Sequence, residues 1–150
     1  MKKQLLALAV AVSGVFGANA ETLYTMTFGA DYNQSTTTQY TESFKVKDAA
    51  GNIWTANNFN NNNNGWEYAK CIAKNKTNAT ADISTQFAVD GILDEIVING
   101  KLSVAKTTGT VEVYASEDNT FSNETKVGSV DVTKFTSTKG DVAIPLSNTA

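Results

Sequence analysis

The 150 residues contain no arginine and no histidine. Without arginine there is no planar fork for bidentate grip on phosphate or carboxylate. Without histidine, imidazole acid–base chemistry, His-activated nucleophiles and His metal sites are all excluded. Cysteine occurs once, at Cys71, so an intramolecular disulfide cannot form. The hydrophobic core alone must hold the fold, which a chain of this size can do. Cys71 reads as a small buried hydrophobe, with a reactive thiol or an intermolecular link as the alternative. Basic charge is scarce too. Residues 21–150 carry ten lysines against fifteen carboxylates, a net charge of −5. No nucleic-acid footprint is present, and no nucleic-acid partner is expected.

The first twenty residues follow a different rule. Lys2 and Lys3 precede the apolar run "LLALAVAVSGVFG", and Ala18-Asn19-Ala20 has the small-x-small pattern of a cleavage site. This order predicts a signal peptide over 1–20, a mature start at Glu21 and an exported product, secreted, periplasmic or held at the cell surface. The run is too short for a resident transmembrane helix, and no later run is longer, so no membrane span is expected in the mature chain.

Residues 21–150 read as one β domain. Strand patterns appear at 23–28, 42–47, 53–56, 66–73, 79–85, 95–104, 109–116, 126–133 and 139–147, separated by turn residues. "ESFKVK" alternates Phe44 and Val46 against Ser43, Lys45 and Lys47. Ile96, Ile98, Leu102 and Val104 share a face that Gly100 interrupts, which suggests a bulge or a close backbone approach. Val111, Val113 and Ala115 read inward, with Glu112 and Tyr114 outward. Val142, Ile144 and Leu146 read inward, and the only proline, Pro145, belongs at an edge or bulge. "TQFAVDGILDEI" allows one helical turn at most. The sum is an all-β, antiparallel β-sandwich of jelly-roll type with about eight or nine strands. The chain stops directly after a strand, so a further closing strand is expected beyond Ala150. Its absence would leave a sheet edge open, available to a protein partner.

"GNIWTANNFNNNNNGWEYAKC", "ATADISTQFAVDGILDEIVI", "VEVYASEDNTFS" and "GDVAIPL" together resemble a sandwich domain of secreted and surface proteins from gut-dwelling anaerobes, over roughly residues 50 to 146. That group is similar in outline to galactose-binding-like and carbohydrate-binding modules. The resemblance implies a β-sandwich accessory or binding module. It transfers no catalytic residue. An aromatic-rich last strand typical of such domains is missing here.

The candidate sites are few. Seven asparagines lie between Trp54 and Trp66, with Asn60, Asn61, Asn62, Asn63 and Asn64 consecutive. Asn64-Gly65 favours a type I′ turn, and the run is first a turn-forming loop. Its amides are also suited to sugar hydroxyls, and Trp54 can offer a ring face to a pyranose. Trp66 reads as core, Trp54 as either core or platform, and Tyr114 as the better exposed aromatic. Glu117, Asp118, Asn119 and Glu124 crowd one loop. They read as a solvated acidic turn capped by Ser116 or Asp118, with Ca²⁺ as the alternative. Asp94 and Glu95 are strand neighbours and point apart, so they make a poor acid–base pair. Glu67, Asp90, Glu95 or Glu112 would have to pair in space for a glycosidase. Asn33, Asn75, Asn78 and Asn123 match the glycosylation acceptor pattern and read as products of an Asn- and Thr-rich surface. The expectation is a non-catalytic module without cofactor or metal, binding an extracellular glycan. The alternatives are a structural or adhesive module and a carboxylate-only hydrolase.

Overall fold

The computed structural model of the chain describes residues 24–28, 43–60, 70–71, 80–89, 93–102, 107–118 and 120–147. Among the described residues nine strands run in order: β1 (Ser43–Lys47), β2 (Ile53–Asn57), β3 (Phe59–Asn60), β4 (Lys70–Cys71), β5 (Asp82–Thr85), β6 (Glu95–Gly100), β7 (Thr110–Ala115), β8 (Thr125–Asp131) and β9 (Gly140–Pro145). A single 3-10 turn, Val132–Lys134, is the helical element among the described residues. Every pairing among the described residues is antiparallel. The chain is all-β, as its alternation predicts. The ladders are β1-β2-β5, β3-β4, β6-β9 and β7-β8. Ladders that would join these into two closed sheets are not present among the described residues. The predicted leader lies outside them.

The first ladder begins with a hairpin whose turn is written in "DAAGN". Gly51 N–H donates to the Asp48 carbonyl at 3.0 Å, and Gly51 has φ +92°. This is a β-turn closed by a positive-φ glycine, within a three-residue hairpin loop. The hairpin sets Phe44 opposite Ala56 and Val46 opposite Trp54; Ala56 then faces Ile83 on β5. Small Ala56 between Phe44 and Ile83 lets one row of large side chains interlock. Met26 and Phe28, on the segment 24–28, complete this core with Phe59 and Ala81. The Phe28 and Phe59 rings stack at 5.4 Å. Asn58 makes the kink that brings Phe59 in: it adopts φ 58°, and its amide donates to the Thr80 carbonyl at 2.6 Å. Asparagine tolerates that left-handed conformation better than other non-glycine residues.

The second core lies between β6-β9 and β7-β8. Ile96 faces Ile144 and Ile98 faces Val142 on one ladder; Val111 faces Val130 on the other. Of these, Ile96, Ile98, Ile144, Val111 and Val130 gather with Val113, Val127 and Leu146 into a separate cluster. The β7-β8 register slips between Val113 and Tyr114, where Gly128 faces Val113 and Lys126 faces Tyr114. Val127 is therefore the extra residue of a bulge, and it is buried. Beyond the bulge Ala115 is exposed, which corrects its predicted inward position. Gly128 sits where β9 crosses closest: a Cβ there would lie 2.8 Å from the Pro145 carbonyl oxygen. Past β9, Leu146 N–H donates to the Asp94 carbonyl at 2.8 Å and Ser147 N–H to the Val127 carbonyl at 2.7 Å, tying the chain at once to the residue before β6 and to β8. Gly100 shows neither the bulge nor the close backbone approach its sequence suggested: it pairs in register with Gly140, and it is the Phe135 side-chain ring that packs over it. Pro145 ends β9 opposite Glu95.

Candidate functional site

Trp54 is a core residue and not a platform. It is 6% exposed, its ring meets Phe87 edge-on at 5.4 Å, and its Nε1–H donates to Asp48 Oδ2 at 3.1 Å. The cause is the register of β2, which points Trp54 and Ala56 to the same buried face. A pyranose has no access to that ring, so the expected stacking role of Trp54 is withdrawn. The asparagine-rich stretch divides. Asn57 donates to Asp82 Oδ1 at 2.6 Å across β2-β5, and Asn58 forms the kink before β3. Asn60 pairs with Lys70 in the β3-β4 ladder. Asn61, Asn62, Asn63 and Asn64 lie outside the described residues, as do Trp66 and Glu67.

Tyr114 is the sequence candidate that the described surface retains. It projects from β7 with Glu112, opposite Lys126 on β8. Its hydroxyl donates to Glu112 Oε2 at 3.0 Å, and Lys126 Nζ lies 3.5 Å from Glu112 Oε1. Both carboxylate oxygens of Glu112 are thus engaged, and its side chain is only 19% exposed, against 51% for Lys126. Burial pushes the Tyr114 phenol above its usual pKa, helped by the Glu112 hydrogen bond and the charges of Glu112 and Glu124. The outward row is completed by Thr110 and Ser129, at register positions facing Asp131 and Glu112. The arrangement is a polar strand face around one half-buried aromatic ring. It offers fixed hydrogen-bonding groups and a limited apolar surface.

The acidic loop between β7 and β8 is organised by Asp118. Its Oδ1 accepts from Thr120 Oγ1 at 2.6 Å, Thr120 N–H at 2.8 Å and Ser122 N–H at 3.2 Å. The Thr120 hydroxyl first, and then the loop amides, hold this carboxyl below the usual range. The turn-capping reading of Asp118 therefore holds. No group of three acidic or thiol side chains converges on a metal position among the described residues. A shallow depression beside Gly100, Phe135, Thr136, Thr138 and Asp141 has a volume of about 70 Å³. That is below the roughly 300–1,000 Å³ of small-molecule pockets.

Sequence reasoning missed two residues. Asp48 is the buried charged side chain among the described residues, and it accepts from Asn52 N–H, Asn52 Nδ2 and Trp54 Nε1 at 2.8, 3.0 and 3.1 Å. The signal was the Asp-x-x-Gly-Asn spacing of the turn, with Trp54 two residues past the asparagine. Lys126 was missed because only the bulge places it opposite Tyr114. No family model, curated protein or solved structure matches the chain. No helix among the described residues is long and apolar enough to cross a membrane.

Proposed function

We propose that the chain is an exported, non-catalytic module that binds an extracellular glycan through the outward face of β7-β8. The observation that carries this reading is the placement of the Tyr114 ring beside the fixed Glu112 carboxylate and the Lys126 ammonium. A ring supplies apolar contact to a sugar face, and a carboxylate accepts from sugar hydroxyls. Export rests on the N-terminal basic, apolar and small-residue pattern. Non-catalysis is the simpler assignment for Glu112, whose two oxygens already serve Tyr114 and Lys126. The adhesive alternative lacks an apolar contact patch on the described surface, where Ile53 is the single large hydrophobic side chain classed as exposed. Scattered single hydrophobes are ordinary.

Exposed polar contacts each contribute about 0.5–1.5 kcal/mol net, so affinity for a single module is expected to be weak. The test is binding of the purified chain to immobilised polysaccharides, comparing wild type with Tyr114→Ala and Tyr114→Phe. Saturable binding that Tyr114→Ala abolishes and Tyr114→Phe weakens supports the reading. Binding unchanged by both variants moves the site elsewhere, and binding to no polysaccharide removes the glycan function.

A further inference from the structure

We infer that this face takes uncharged glycans and excludes polyanionic ones; the inference rests on the glycan reading above. The cation of the Tyr114 surface, Lys126, is engaged by Glu112 at 3.5 Å. Glu112 and Glu124 both act on the Tyr114 phenol as negative charges. Asp131 stands at the far end of the same β8 row, its carboxylate accepting from the Thr133 amide at 2.8 Å. Lys134 acts on Asp131 as a positive charge, so three carboxylates accompany two ammoniums on or beside the row that would receive the sugar, and the balance is still negative. The chain contains no arginine to supply a second, bidentate anion contact. A uronate or sulfate approaching Tyr114 would have to take Lys126 from Glu112, leaving that carboxylate unpaired beside a second negative charge. Like charges within a Debye length, about 8 Å at physiological salt, are only partly screened from one another. A neutral hexose instead brings hydroxyl donors, which Glu112 can accept while it keeps Lys126.

The experiment uses biolayer interferometry of the full purified chain on a galactomannan, a xyloglucan and a mixed-linkage β-glucan, set against polygalacturonate and dextran sulfate. The expected result at physiological salt is binding to at least one neutral polymer, with at least tenfold weaker binding to both polyanions. Glu112→Gln should narrow that ratio by raising polyanion binding, with an unchanged urea midpoint showing that the variant is folded. Polyanion binding equal to or stronger than neutral binding, and lost in Lys126→Ala, overturns the charge assignment but leaves the glycan face standing. Binding to none of the five removes both.

Discussion

At the scale of single residues, two aspartates in the first core respond to pH in opposite senses. Burial raises the Asp48 carboxyl, but hydrogen bonds from Trp54, from the Asn52 side chain and from the Asn52 and Ala50 amides outweigh it, and the net shift is downward. A lowered folded-state value means that Asp48 stabilises the fold above its unfolded value near 3.8, and that this contribution is lost as pH falls through the still lower folded value. Asp82 is the reverse. Burial raises it, and the Asn57 hydrogen bond offsets only part of the rise. Its contribution is present below the unfolded value and lost as pH rises through the folded one, so the ionised carboxylate opposes folding at neutral pH. Asp82→Asn should therefore raise the urea midpoint at pH 7 and leave it nearly unchanged at pH 3. Asp48→Ala should lower the midpoint at pH 7 by about 1–3 kcal/mol of stability, because Trp54 Nε1 is left buried without an acceptor. A midpoint at pH 7 that falls with Asp82→Asn would reverse the assignment of that residue.

At the scale of elements, period-two alternation located β1, β2, β6, β7, β8 and β9 to within a residue or two at most termini, because half-buried antiparallel strands enforce it. Phe44, Val46, Ile144 and Val113 are buried as their alternation predicts. What alternation cannot carry is register. The slip at Val113/Tyr114 decides that Lys126 faces Tyr114, and only the partner strand reveals it. The expected ligand role of Trp54 failed for a related reason. An aromatic in a polar stretch looks exposed, whereas Val46 across the ladder and the Asp48 turn draw it inward. The glycines test the packing of β8 on β9 directly. A Cβ at Gly128 meets backbone oxygen at 2.8 Å and Leu146 Cδ2 at 2.9 Å, while a Cβ at Gly140 meets nothing within 4 Å. Gly128→Ala should destabilise by about 1–3 kcal/mol through overpacking. Gly140→Ala should lie within about 0.5 kcal/mol of wild type or gain slightly from reduced unfolded-state freedom. Urea denaturation of the pair checks this, and equal midpoints would mean that β9 does not approach β8 as closely as described.

At the scale of the whole molecule, the described residues hold two apolar clusters, one from residues 24–87 and one from 96–146. No ladder among them crosses from β1-β2-β5 to the four strands that follow residue 93. Cooperativity in a β protein is carried by ladders and by shared core, so two clusters that share no ladder among the described residues are expected to be lost separately. The two tryptophans make the expectation measurable. Trp54 belongs to the first cluster, and among the described residues the second contains no tryptophan. In a Trp66→Phe background the emission reports Trp54 alone, while far-UV circular dichroism reports all strands. Ile83→Ala removes a fully buried side chain of the first core and should cost about 2–5 kcal/mol, moving the emission midpoint. Gly128→Ala acts in the second core and should move the dichroism curve, splitting it from an emission curve that stays in place. Emission and dichroism that shift together in both variants would show one cooperative unit. The glycan face would then depend on the first core as well as on its own, and Ile83→Ala would weaken binding at Tyr114 by lowering the folded fraction. Two separable units instead leave that binding unchanged until the second transition begins.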